Sequence, residues 1–142
     1  MKTVKQLLEA KGREVHTISP DATVFDALKL MAEKDVGALV VTEGGRLAGI
    51  LSERDYARKV VLHGKSSQEM PVRELMTSRV ITVGPHQTVE DCMGLMTENR
   101  VRHLPVTEGD RLVGLLSIGD LVKEVIADQE ATIRQLESYI HS

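Results

Sequence analysis

The chain repeats itself. Residues i and i+65 pair without a gap from Val15/Val80 to Tyr56/Leu121, and 21 of these 42 pairs are identical. The strongest block sets Leu39–Gly49 against Leu104–Gly114, and agreement of this length cannot be chance. Upstream, Val4-Lys5-Gln6-Leu7-Leu8 echoes Val72-Arg73-Glu74-Leu75-Met76 at an offset of 68, so the first copy carries three extra residues around Ala10-Lys11-Gly12. A duplicated unit constrains the fold more than local propensity does. About 55–60 residues hold little core of their own, so the two copies are expected to stack sheet against sheet with pseudo-two-fold symmetry.

Each copy reads as strand, helix, strand, strand, helix. An extended piece (Val15–Ile18; Val80–Val83) leads through a Pro-containing turn to Thr23-x-x-Asp26 or Thr88-x-x-Asp91, both capping-box-like helix starts. Val24, Ala27, Leu28 and Met31 then fall on one helix face, as do Val89, Cys92, Met93 and Met96. Two strands joined by a glycine turn follow, Ala38–Thr42 with Leu47–Leu51 and His103–Thr107 with Leu112–Leu116. Each copy closes on a heptapeptide, Gly49-Ile50-Leu51-Ser52-Glu53-Arg54-Asp55 or Gly114-Leu115-Leu116-Ser117-Ile118-Gly119-Asp120. There a buried strand runs into a helix opening with Ser-x-x-Asp, and such a junction aims backbone N–H groups and a positive dipole end at whatever lies beyond.

The expected fold is therefore α+β: two tandem β-α-β-β-α repeats packed face to face, plus an extended C-terminal helix. The first repeat with its N-terminal linker segment spans 1–62, a polar inter-repeat loop 63–71, the second repeat 72–127 and the helical extension 128–142. The loop is expected to be the most mobile segment. Past Asp120 the positions Val122, Ile126, Gln129, Ile133, Leu136 and Ile140 follow an a/d-like spacing, with alternating gaps of four and three. This suits a partner helix and hence a homodimer; packing back on its own domain is the alternative.

Composition narrows the functions. Phe25, Tyr56 and Tyr139 are the only aromatics, which leaves an aliphatic core and no stacking platform for single-stranded nucleic acid. A net charge of −3 with mixed signs argues against a broad basic face for duplexes. Cys92 is the only cysteine, so neither an internal disulfide nor a cysteine zinc cage is available; it falls on an apolar helix face and reads as core. There is no apolar leader or membrane-length run, and a cytoplasmic protein without membrane partners is the simplest reading. No Gly-x-Ser-x-Gly, Walker loop or Gly-x-Gly-x-x-Gly occurs, and the five histidines show no ligand spacing with carboxylates. No catalytic site or metal site is expected.

The tandem unit with Gly-h-h-Ser-x-x-Asp (h, apolar) closing each copy resembles a CBS-domain pair, the Bateman module, over about Val4 to Leu121. Ser52-Glu53-Arg54-Asp55 and Arg102-His103-Leu104-Pro105-Val106 resemble in particular the small stand-alone bacterial members. The resemblance implies binding of adenosine-containing ligands (AMP, ADP, ATP, NAD or S-adenosylmethionine) in clefts between the copies. It also implies dimerisation into a flat disc and signalling to an effector, here separate and unknown. The alternative is a ligand-free structural or protein-interaction dimer.

The residues suit such a ligand. A fixed carboxylate accepts from both vicinal ribose hydroxyls, and charge-assisted bonds of this kind are strong. Asp55 and Asp120 stand where that is possible, with Ser52 and Ser117 for a ribose or phosphate oxygen. Ser-x-x-Asp is also an ordinary helix cap that needs no ligand. Arg54, Lys59 and Arg102 are the candidates for phosphate, which an arginine fork fits well; Arg58 and Arg100 are equally well read as solvated surface charge. Thr17, Ala38, Thr82, His103, Leu104 and Pro105 complete the candidate adenosine contacts, Pro105 reading also as the mark of an exposed sheet edge. Copy one has Gly37-Ala38 where copy two has Arg102-His103. The second cleft, walled by Arg102, His103, Ser117 and Asp120, is therefore expected to be the tighter adenylate site.

Overall fold

In the computed structural model, which describes residues 2–61, 64, 66 and 68–141, each copy is built around a hairpin. β2 (Ala38–Glu43) pairs antiparallel with β3 (Arg46–Ser52), and β4 (His103–Glu108) with β5 (Arg111–Ser117). Both ladders shift register at the same place, between Val41 and Thr42 and between Val106 and Thr107. One amphipathic helix covers each hairpin: α2 (Val24–Lys34) buries Val24, Ala27 and Met31, and α5 (Val89–Asn99) buries Val89, Cys92 and Met96. Their starts are fixed by the Thr23 and Thr88 hydroxyls, which accept from the Asp26 and Asp91 N–H groups at 3.1 Å. The two repeats meet through β3 and β5. α6 (Ile118–His141) continues from β5 as one helix of 24 residues. The architecture is the expected α+β arrangement of two repeats and a C-terminal helix.

The leading extended pieces differ between the copies. β1 (Thr17–Ile18) lies parallel beside β2, and the Val40 N–H donates to the His16 carbonyl at 3.2 Å. Pro105 takes the place of Val40 in copy two and has no N–H to give. Pairing there shrinks to a single bridge between Val83 and Val106, so the piece expected over Val80–Val83 is not a full strand.

The leading helices are exchanged. α1 (Val4–Lys11) docks on the second copy: the Val4 N–H donates to Gln87 O at 2.8 Å and the Val89 N–H to Lys2 O at 3.1 Å. α4 (Val72–Leu75) docks on the first, with Val72 N–H to Ala22 O and Val24 N–H to Met70 O, both 2.8 Å. Val4, Leu7 and Leu8 therefore share a core with Leu104, Leu116 and Leu121, while Val72 and Leu75 share one with Leu39 and Leu51. This crossing explains the glycine that opens each heptapeptide. A Cβ on Gly49 would lie 2.8 Å from the Thr77 carbonyl oxygen, and one on Gly114 would lie 2.7 Å from Leu8 Cδ2. Within the expected inter-repeat loop, His63, Lys65 and Ser67 lie outside the described residues.

Candidate functional site

At the end of β3 the chain turns into α3 (Glu53–Tyr56), a single helical turn that widens into a π-type turn over Ala57–Val61. Ser52 and Asp55 form a reciprocal cap. The Asp55 N–H donates to the Ser52 hydroxyl at 3.2 Å, and Asp55 Oδ2 accepts from the Ser52 N–H at 3.1 Å and its hydroxyl at 3.0 Å. Ser117 and Asp120 repeat this at the start of α6, with distances of 3.2, 2.8 and 3.0 Å. The capping role is thus present in both copies. At Asp55 it leaves Oδ1 unbonded, its nearest cation being Lys59 Nζ at 3.7 Å. One turn of α3 has little macrodipole, so positive charge for an anion must come from side chains.

It does. A cavity of about 380 Å³ opens beside Ser52 and Asp55, between the copies. Gly37 and Ile50 line it from copy one; Thr77, Val80 and Ile81 line it from the segment leading into copy two. Around it stand Arg54, Arg58, Arg79, Arg100 and Arg102 against only two carboxylates, Glu53 and Asp55. None of these five guanidiniums has a hydrogen bond or salt bridge among the described residues. Repulsion from Arg58 first, then desolvation and Arg102, holds Arg54 below its ordinary value. A chain of net charge −3 has concentrated unneutralised cations in one cleft, which focuses its field on an anionic ligand. His103 also lines the cavity. Burial chiefly, with Lys11 and Arg102 against Asp120 and Asp55, lowers it below 6.5, so the ring is neutral at pH 7 and offers one donor and one acceptor.

Ser52, Arg54, Asp55, Arg102 and His103 are thus brought together. Arg102 and His103, expected with Ser117 and Asp120, line the cleft of Ser52 and Asp55, and His103 also pairs in register with Ser117. Lys59 is not a cavity residue; its ammonium faces Asp55 and donates to the Leu75 carbonyl at 3.4 Å. Arg58 and Arg100 do line the cavity, and Arg79 joins them unforeseen. Arg79 lies in the leading segment that crosses to the other copy, so no motif marks it. Thr17 and Thr82 are exposed and outside this cavity. Ala38 and Pro105 are buried in strands, and Leu104 is wholly within the second copy's core, leaving only its backbone for a ligand.

Asp120 has a neighbour that Asp55 lacks. Lys11 Nζ donates to Asp120 Oδ2 at 2.5 Å and to the Leu115 carbonyl at 2.6 Å. Burial pushes this carboxyl up, but the Lys11 and Ser117 bonds outweigh it and hold it below 3.8. Elsewhere, Cys92 is buried and its thiol is pushed up to about 11 by desolvation and Asp91. Among the described residues, no group of three His, Cys, Asp or Glu side chains is placed to hold a metal ion, and no helix is long and apolar enough to cross a membrane.

Tandem repeats with exchanged leading helices and a cavity between them define a CBS-domain pair, a regulatory module. The sequence profile of the CBS domain matches residues 4–62 and 72–127, and the chain belongs to that family. It is 40% identical over 147 residues to the mitochondrial CBS domain-containing protein CBSX3 of Arabidopsis thaliana, covering 97% of this chain and 71% of the relative. A solved CBS-domain protein from Burkholderia ambifaria superimposes with a TM-score of 0.87 at 56% identity, over 90% of this chain and 96% of that one. The CBS-domain pair of protein MJ0100, solved with 5′-methylthioadenosine and S-adenosyl-L-methionine, shares the fold with a TM-score of 0.80 at 22% identity, over 90% and 98% of the two chains.

Proposed function

We propose that this chain is a sensor of adenine nucleotides which binds AMP, ADP, ATP or NAD in the cavity at Ser52 and Asp55 and signals to a separate effector. The observation that carries the reading is the set of five arginines, unpaired among the described residues, around a capped carboxylate whose Oδ1 has no hydrogen bond there and faces only the Lys59 ammonium. Asp55 Oδ1 accepts from the ribose diol, Arg54 and Arg102 with their neighbours hold phosphate, and the wall at Val80 and Ile81 receives the base. The ring of His103 supplies a neutral polar contact. The adenosine ligands of MJ0100 support the ligand class. Because the cavity is walled by both copies, a ligand that fits one arrangement of the copies better shifts their relative placement by its differential affinity. The exposed apolar face of α6 supports a homodimer, and the single buried cysteine suits a reducing compartment such as the cytoplasm.

Isothermal titration of the nucleotide-stripped chain with AMP, ADP, ATP and NAD tests this. Saturable binding is expected, and Asp55→Ala should cost roughly 1.5–3 kcal/mol, about ten- to a hundred-fold in affinity. The lost cap costs about 1 kcal/mol, so the variant should still fold. No heat with any of the four, together with unshifted melting temperatures, would leave the ligand-free interaction dimer as the reading.

A further inference from the structure

Helix α6 divides into a docked half and a projecting half. Near its start, Leu121 is buried in the second core, Val125 packs against it, and Glu124 accepts from Lys2 Nζ at 3.2 Å. From Ile126 to His141 every residue is exposed. The stripe of Val122, Ile126, Gln129, Ile133, Leu136 and Ile140 runs through both halves without cover. One flank of the stripe carries Lys123, Glu130 and Glu137; the other carries Val125, Thr132 and Tyr139. None of Lys123, Glu130 and Glu137 makes an ion pair within the chain among the described residues.

The flanks of a paired-helix stripe set the direction of pairing. Parallel pairing in register lays each flank against the other flank of its partner. Glu130 would then face Val125 and Glu137 would face Thr132, and neither carboxylate is answered. Antiparallel pairing lays like flank against like flank. With Ile126 over Leu136, Ile133 over Gln129 and Val122 over Ile140, Lys123 falls opposite Glu137 at both ends of the contact. Only Glu130 meets its own copy, at the centre, where Arg134 stands one turn away on the same side.

We infer that α6 pairs antiparallel with α6 of a second copy, the projecting half of each lying along the docked half of the other. The starts of the two helices are then about 40 Å apart and the two bodies stand at opposite ends. This rests on the homodimer reading above and adds to it the contact and its direction.

Sedimentation equilibrium of the full chain tests it by exchanging charges. Lys123→Glu or Glu137→Lys alone sets two like-charge pairs across the contact and should weaken the dimer about three- to ten-fold. The double variant restores both pairs and should return to within about two-fold of the wild type. Glu130→Gln should tighten the dimer. All three positions are exposed, so the fold is not at stake. Nitroxides on Lys123→Cys give a second reading, since Cys92 is buried out of their reach. The axial offset alone should hold the two labels more than about 20 Å apart. A dimer whose double variant is weaker than either single one, or whose labels lie one interhelical spacing of about 10 Å apart, overturns the antiparallel contact and leaves the homodimer. A wild type that stays monomeric at every concentration reached overturns the homodimer reading, and this inference with it.

Discussion

His103 pairs in register with Ser117, lines the Asp55 cavity and is acted on by Lys11 and Asp120, so it lies between the two junctions. Its folded value is depressed, so the unfolded chain binds the proton more readily, and stability must fall as pH drops through 6.5 toward the folded value. Urea unfolding at pH 7.5 and 5.5 should show the wild type losing up to about 1.4 kcal/mol per pH unit, and His103→Gln losing less. Asp120 acts lower down: its depressed value adds stability that is lost only below about 3.8. The residues that repetition or the heptapeptides single out, Ser52, Arg54, Asp55, Arg102 and His103, were legible in the sequence as candidates, and the fold gathers them at one cavity. Lys11 and Arg79 were not, because they reach their positions through segments that cross between copies, and no spacing along the chain encodes that crossing. Lys59 misled for a local reason: four residues after Asp55 it is drawn to that carboxylate and away from the cavity.

Helix α6 is the element with the most unspent apolar surface. Only Leu121 in it is buried, whereas Ile126, Ile133, Leu136 and Ile140 are 50%, 53%, 59% and 75% exposed. At 1.5 Å per residue the helix is about 36 Å long, and its a/d spacing fits a second helix of the same kind. Sedimentation of the double variant Ile133→Glu/Ile140→Glu should therefore show a monomer at concentrations where the wild type is dimeric, with nucleotide affinity changed less than about two-fold. An unchanged mass would place any dimer contact elsewhere. Helices and hairpins were readable from periodicity and turn glycines. The shortened pairing at Val83 was not read, although its cause, the missing N–H of Pro105, stands in the sequence; the consequence depends on knowing which carbonyl would have faced it.

At the scale of the whole molecule, the exchange of α1 and α4 makes the two repeats one cooperative unit. Leu8 belongs to the first copy by sequence and to the second by packing, at 1% exposure. Leu8→Ala should cost about 2–5 kcal/mol. Hydrogen exchange should locate the loss in α5, β4 and β5, ahead of α2 and β2. A variant that loosens only residues 15–56 would contradict the packing. Repetition announced two facing halves, but not which leading helix serves which half, because Val4–Leu8 and Val72–Met76 carry almost the same apolar pattern and either assignment buries them.

The exchange also sets an order of events during synthesis. α1 leaves the ribosome before the rest of the first copy, yet the strands and helices that bury Val4, Leu7 and Leu8 are made after that copy. At about 5–20 residues per second this apolar segment waits several seconds for its host. α4, by contrast, meets an already emerged first copy at once. The first copy can therefore close while the chain is still growing. The second, and with it the Lys11 contact at Asp120, can form only after β5 and the start of α6 have emerged. A nascent chain would pass through a stage in which the Ser52–Asp55 junction exists and its counterpart does not.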